Sequence, residues 1–219
     1  MKRWIALNYL AFLLMSSLLV LGVLVSWPLA LAALYLLPPL LARGTVLIFG
    51  APRATTPVPS RASYVWWVTA QLQVPFMRFP ALEELLRCVP GLYSAWLRLW
   101  GAEIGAFVFW SPQVLVADRP FVRVGERAVI GYGAKLTAHL LSREAGKNVL
   151  IFGVPVIGAG AILGTLSGVG PGAQVGAGQT LKATTALPPY HKLKDKVLYD
   201  ANDNITHETP IMLQQEALS

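Results

Sequence analysis

The sequence predicts a parallel β-helix carried on an apolar helical hairpin. Two observations predict the β-helix. The chain from Ile157 to Ala186 repeats every six residues: Ile157-Gly-Ala-Gly-Ala-Ile, Leu163-Gly-Thr-Leu-Ser-Gly, Val169-Gly-Pro-Gly-Ala-Gln, Val175-Gly-Ala-Gly-Gln-Thr, Leu181-Lys-Ala-Thr-Thr-Ala. An aliphatic residue opens each block, glycine follows it in the first four, and a small residue takes the fifth place except at Gln179. A six-residue period of this kind is the signature of stacked parallel coils. The hairpin rests on a third observation, a charge-free apolar run from Trp4 to Ser26 that is long enough to cross a bilayer.

Composition sets the frame. The chain has 219 residues, enough for one or two domains; 55% are hydrophobic and only 13% charged, which is too apolar for a typical soluble protein. The formal net charge is +7, and no acidic residue precedes Glu83. Basic charge on an apolar N-terminal half suits the anionic inner face of a membrane. A nucleic-acid partner is disfavoured, because Lys and Arg are scattered singly and form no dense stripe. Cys88 is the sole cysteine, so there is no internal disulfide and no cysteine-based zinc site.

Residues 1–51 are expected to form a transmembrane helical hairpin. Trp27-Pro28 marks its tip, Leu29 to Ala42 returns with a kink at Pro38-Pro39, and a short apolar run from Thr45 to Ala51 follows Arg43-Gly44. Lys2 and Arg3 flank one end, and Arg43, Arg53 and Arg61 follow the other. The positive-inside rule puts both flanks, and the rest of the chain, on the cytoplasmic side of a bacterial-type inner membrane. A cleaved signal peptide is the alternative, but the apolar core is longer than secretory cores normally are. Residues 52–63 are a Pro/Thr-rich linker. Residues 64–103 are rich in aromatic side chains interspersed with Arg78, Arg87 and Arg98, and Pro75, Pro80 and Pro90 divide them. Leu82, Leu85, Leu86 and Val89, then Leu92, Trp96 and Leu99, have helical spacing. They read as interfacial helices that also cap the first coil.

The β-helix proper is expected over 104–189, with about four coils. In each coil the opening aliphatic residue and the small fifth residue point inward, and glycines sit near corners where a Cβ is disfavoured. Coils need neighbours to bury their apolar sides. Ile104, Trp110 and Val116 open the first blocks. A two-residue slip follows, and Val124, Ile130 and Leu136 continue the pattern. Ser142 to Asn148 breaks it as an ejected loop, and Ile151 restores it. Residues 190–219 form a tail with Lys192, Lys194 and Lys196, a short strand or hairpin, and a polar end.

His139 falls just before the ejected loop, at the fourth place of its block, and should point outward. Imidazole is the side chain whose ordinary ionisation lies near neutrality, so it suits removal of a proton from a hydroxyl or amine. An ordinary exposed histidine answers the same position equally well. Glu144, in the loop, is the candidate to orient the ring; a solvated carboxylate is the plainer reading. His191 and His207 lie beyond the repeat.

Over Ile104 to about Lys192 the chain resembles the left-handed β-helix acyltransferases of the hexapeptide-repeat superfamily. The carrying residues are Ile130-Gly-Tyr-Gly-Ala-Lys-Leu-Thr-Ala-His139, the loop, Val156-Ile-Gly-Ala-Gly-Ala161 and the Leu187-Pro-Pro-Tyr190 exit. The resemblance implies a left-handed coil, a homotrimer, His139 as the catalytic base, and coenzyme A contacts at Thr165, Ala177 and Lys182. After the exit this chain reads His191-Lys-Leu-Lys194 where sugar acetyltransferases of the superfamily have Asn-Pro-Ala. A closer resemblance is to the hexapeptide-repeat terminal domains of polylysine-synthetase-type peptide synthetases, through Leu99-Trp-Gly-Ala-Glu-Ile-Gly105 and Thr137-Ala-His-Leu140. In those domains a carrier protein presents the acyl donor on phosphopantetheine.

The expectation is therefore a membrane-anchored acyltransferase of the O- or N-acyl type. It uses acyl-CoA or an acyl-carrier-protein thioester as co-substrate and has no tightly bound cofactor. The alternative is a non-catalytic, membrane-anchored trimeric scaffold. Metal-dependent hydratases share the prism but need three histidines around a metal, and only His139 lies in the coils.

Overall fold

The computed structural model describes residues 7–206 and the backbone of 211–212. Lys2, Arg3 and His207 lie outside the described residues. Among the described residues these helices come first: α1 (Leu10–Leu24), α2 (Trp27–Phe49), α3 (Arg61–Arg78), α4 (Ala81–Arg87) and α5 (Leu92–Trp100). A short strand, β1 (Thr56–Pro57), lies between α2 and α3.

The coils follow. The first is β2 (Glu103–Ile104), β3 (Phe109–Trp110) and β4 (Leu115–Val116); the second is β5 (Arg123–Val124), β6 (Val129–Ile130) and β7 (Lys135–Leu136). A hairpin then leaves the prism, β8 (His139–Glu144) and β9 (Lys147–Phe152). The third coil is β10 (Val156–Ile157), β11 (Ile162–Leu163) and β12 (Gly168–Val169), and the fourth is β13 (Gln174–Val175), β14 (Thr180–Leu181) and β15 (Thr185–Leu187). A fifth turn begins with β16 (Lys192–Lys194), which folds back on β17 (Val197–Tyr199). Strand β18 (Ile211–Met212) pairs antiparallel with β15. The structure is thus a parallel β-solenoid with four full coils and a fifth begun.

Stacking in register explains the repeat. Ile104, Val124, Ile157, Val175 and Leu193 form one inward column. Trp110, Ile130, Leu163 and Leu181 form the second, and Val116, Leu136, Val169 and Leu187 the third. All but Trp110 are buried. The fifth-place residues Ala128, Ala134, Ala161, Ser167 and Ala173 are fully enclosed between them. Gln179, the exception, uses its Oε1 to accept the Lys196 N–H at 2.8 Å and so pins the terminal hairpin.

The glycines answer two separate demands. A Cβ at Gly158 would collide with the backbone of Ala177 in the next coil, so the second place needs room rather than unusual dihedrals. The left-handed conformation falls at the fourth place, in Gly160 and Gly178 but also in Leu166 and Arg127.

Several sequence expectations shift. Ile151 does not restore the repeat: it pairs with Leu140 inside the hairpin, and the coil resumes at Val156-Ile157. The linker is anchored, because Thr56 and Pro57 add a third strand to that hairpin opposite Leu150 and Val149. The turn of the apolar hairpin is at Val25-Ser26, and Trp27-Pro28 starts α2 rather than ending α1. Proline fits a first helical turn because the N–H it lacks has no partner there. Helix α2 continues through Pro38 and Pro39, both buried, and through Arg43-Gly44 to Phe49. Helix α3 likewise passes Pro75 and starts at Arg61, where Ser60 and Ser63 form a reciprocal N-terminal cap. Among the described residues, one helix, Trp27–Phe49, is long and apolar enough to cross a membrane; α1 is shorter.

The close packing at Gly158 is measurable. Gly158→Ala should lower the unfolding free energy by about 1–3 kcal/mol through overpacking, read as a fall in Tm by thermal denaturation. An unchanged Tm would contradict the stacking argument.

Candidate active site

The stretch between Val116 and Val124 is two residues longer than the same side of the later coils, and Asp118 and Arg119 occupy it. Both are buried, at 2% and 1% exposure. Their side chains serve two different partners.

Asp118 holds His139. The imidazole Nδ1 lies 2.8 Å from Asp118 Oδ1 and 2.7 Å from Oδ2. Two further donors reach the same carboxylate: the Ala138 N–H at 2.8 Å and the Trp66 Nε1–H at 3.2 Å. The Trp66 ring also packs on the imidazole, with centroids 4.6 Å apart. A carboxylate only accepts, so the ring proton belongs on Nδ1 and Nε2 presents its lone pair. The His139 side chain is about a quarter exposed, and among the described residues Nε2 has no hydrogen-bond partner.

Arg119 holds the helical cap. Its Nε donates to Glu83 Oε1 at 2.5 Å, while its backbone N–H and Nη1 both donate to Gln73 Oε1. Glu83 also accepts from the Tyr93 hydroxyl and from Arg87, and Arg87 pairs in turn with Glu84. Arg87 donates to the Val114 carbonyl, and Glu84 accepts the Gln113 N–H. Two carboxylates thus face two guanidiniums between α4 and the first coil. Burial, with Glu83 adding to it, pushes the Tyr93 hydroxyl far above the ordinary phenol range, so Tyr93 stays a donor.

The remaining walls are apolar. Trp66, Phe121, Ala138, Leu150 and Phe152 form a compact buried cluster beside His139, with Val46 of α2 and Trp67 and Ala70 of α3 against it. The Tyr190 hydroxyl donates to the Phe152 carbonyl at 2.9 Å, so the Pro-Pro-Tyr exit clamps the neck of the β8–β9 hairpin.

The structure brings together some of the expected residues and separates others. His139 sits at the mouth of the ejected segment, as its spacing suggested. Glu144 does not orient it: Glu144 pairs with Lys147 at the far end of the hairpin, and Asp118 occupies Nδ1. Thr165 and Lys182 are exposed on turns after β11 and β14, one coil apart on one corner, where the Thr184 N–H donates to the Thr165 carbonyl. Ala177 is exposed on the turn after β13, at a different corner. His139, after β7, stands at the third corner, so one chain does not gather these three around it. Asp118, Arg119, Trp66 and Glu83 were missed by sequence reasoning. The two-residue slip was the signal for the first two.

No protein-family model matches the chain, and no curated protein matches it. Among solved structures, it is similar to a hexapeptide-repeat acetyltransferase from Vibrio cholerae, at 14% identity over 54% of this chain and 86% of that one, TM-score 0.36. It is also similar to a maltose O-acetyltransferase from Clostridium difficile, at 12% identity over 55% and 82%, TM-score 0.40. A serine acetyltransferase from Entamoeba histolytica matches at 14% identity over 84% and 73%, TM-score 0.24.

Breaking the buried pair should be costly. Arg119→Met leaves Glu83 short of a partner and should reduce stability by about 3–5 kcal/mol, measured by denaturant unfolding. A variant as stable as the parent would show that the ion pair does not tie cap to prism.

Proposed function

We propose that the chain is a membrane-anchored acyltransferase that moves an acyl group from a phosphopantetheine thioester to a hydroxyl or amine, with His139 as general base. One observation carries this reading: a partly exposed imidazole whose Nδ1 is held by a buried carboxylate and whose Nε2 has no hydrogen-bond partner among the described residues. An ordinary surface histidine needs no such arrangement.

The chemistry follows from that geometry. Nε2 takes the proton of the acceptor O–H or N–H as the heteroatom attacks the thioester carbonyl. Asp118 stabilises the imidazolium so formed and keeps the ring from turning. The tetrahedral intermediate collapses with cleavage of the C–S bond, and the proton on Nε2 passes to the departing thiolate. The oxyanion is assigned to backbone N–H groups of a neighbouring coil. Apolar packing by Trp66 on one side of the ring limits water there.

The donor is acyl-CoA or an acyl group on a carrier protein. Thr165 and Lys182, adjacent on one corner, are the residues proposed to meet its phosphate-bearing arm. Ala177 joins them only where a second subunit brings another corner alongside. A homotrimer is proposed for the same reason. The outer face of the β3–β6–β11–β14 sheet supports it, exposing Phe109 and Ile162 with Phe107, Tyr132 and Leu166 beside them. The apolar hairpin would anchor the assembly to the cytoplasmic face of an inner membrane, so the acceptor is one presented at a bilayer surface.

His139→Ala should abolish thiol release from acyl-CoA or carrier-bound donors while the protein stays folded, and Asp118→Asn should lower the rate by on the order of a hundredfold or more. Glu144→Gln should be neutral. Turnover retained in His139→Ala would remove His139 from the mechanism, whereas no thiol release by the parent from either donor would favour the scaffold reading. Ile162→Asp should shift a trimer to monomer by light scattering; an unchanged mass would exclude that face from the interface.

A further inference from the structure

Helix α2 is long enough to cross a bilayer, but its packing points to another arrangement. From Tyr35 onward it lies against the cap. The Tyr35 hydroxyl donates to the Leu82 carbonyl at 2.8 Å, and Trp96 Nε1 donates to the Tyr35 carbonyl at 2.9 Å. Arg43 reaches the Arg98 carbonyl, Phe49 lies under Arg61, and Pro38, Pro39 and Ala42 are buried. Helix α1 is tied in at its other end, where Trp67 Nε1 donates to Asn8 Oδ1.

The helices that hold α2 are themselves fastened to the prism by their other faces. Trp66 and Gln73 of α3 reach Asp118 and Arg119. In α5, Ser94 accepts from Trp110, and Arg98 donates to the carbonyls of Ile104 and Gly105. The order across the molecule is prism, cap helices, apolar hairpin. If α2 crossed a bilayer along its length, about 22 Å of it, from Tyr35 to Phe49, would carry the cap and first coil to hydrocarbon depth. The Glu83–Arg119 pair and the water-facing Glu103–Arg123 pair, with side chains 67% and 53% exposed, would go with it.

What projects beyond the cap is short. Trp27 to Leu34 extends about 12 Å past Tyr35, against a hydrocarbon core about 30 Å thick. This tip is apolar and exposed at Val23, Val25 and Trp27, and the side of α2 turned away from the cap continues the apolar face through Leu36, Leu40 and Leu47. Exposed Met77, Phe79, Leu85 and Val89 lie at the edge of the cap from which it emerges. Exposed Arg43, Arg53, Arg61 and Arg78 supply positive charge near the hairpin base and the end of α3, with no acidic residue before Glu83 to oppose them.

We infer that the hairpin enters a single leaflet of an anionic bilayer and returns, so the chain is monotopic rather than transmembrane. This rests on the membrane-anchoring half of the proposed function and deepens it. The hairpin lies along the surface with its exposed apolar face among one leaflet's acyl chains, the arginines at its base and at the end of α3 meet anionic headgroups, and cap and prism stay on the same side. His139, against α3 and near Val46, then stands on the water side of the hairpin.

The test uses the full chain in phosphatidylglycerol–phosphatidylethanolamine vesicles. In a Cys88→Ser background, Val25→Cys should be unreactive to a membrane-impermeant maleimide from either side and reactive once detergent is added. An Ala54→Cys control should react from one side only. Val25→Cys labelled from the side opposite Ala54→Cys would overturn the inference and establish a crossing. Failure of the protein to float with the vesicles would overturn anchoring itself. Thiol release by the His139 pair of proteins in detergent tests acyl transfer separately, so the two failures are distinguishable.

Discussion

The adjacent buried side chains of Asp118 and Arg119 hold the structure to its proposed chemistry. They point to different partners from one irregular turn of the first coil. Arg119 locks the cap helices onto the prism through Glu83 and Gln73. Asp118 fixes the imidazole of His139 and accepts from Trp66 of the same cap. Cap position and ring orientation therefore depend on the same two residues. Burying ionic groups is costly unless each is paired and hydrogen-bonded. Here Glu83 and Asp118 each accept from several donors, which offsets that cost and defines one arrangement of the cap.

The prism was legible in the sequence because its physics is local and periodic. Each block repeats the same demand, an aliphatic residue inward and a small one beside it, so the inward columns of Val, Ile and Leu could be read without coordinates. The break at the ejected segment was legible as well, though Ile151 shows the limit: a hairpin strand and a coil strand place the same residue type in the same pattern. The partner of His139 was not legible. Asp118 precedes it by 21 residues, and only the coil register brings them together. Glu144 was close in sequence yet is carried away by the extended β8 strand. The slip that contains Asp118 and Arg119 was visible as a change of spacing, but spacing alone does not say which way a side chain points.

The apolar N-terminus shows a similar division. Composition identified two apolar helices, on which the proposed membrane anchoring rests. Their depth depends on what packs beside them, and that is tertiary information. Tyr35 and Trp96 hold α2 to a cap that is fastened to a polar prism, so the length of α2 overstates how far it reaches. In the proposed single-leaflet arrangement, a site beside such a cap suits an acceptor that stays in the bilayer while its reactive group stands at the surface. The proposed donor, a water-soluble thioester, then approaches from the other direction.

The central claim is that Asp118 fixes His139 so that Nε2 is an available base. Nitrogen-15 NMR of protein labelled in its histidines, read with Asp118→Asn alongside, tests this most directly. Neutral His139 should carry its proton on Nδ1, with Nε2 showing the shift of an unprotonated ring nitrogen, and Asp118→Asn should disturb this preference. A His139 protonated on Nε2 in the parent, or one whose tautomer ignores the change at residue 118, would contradict it.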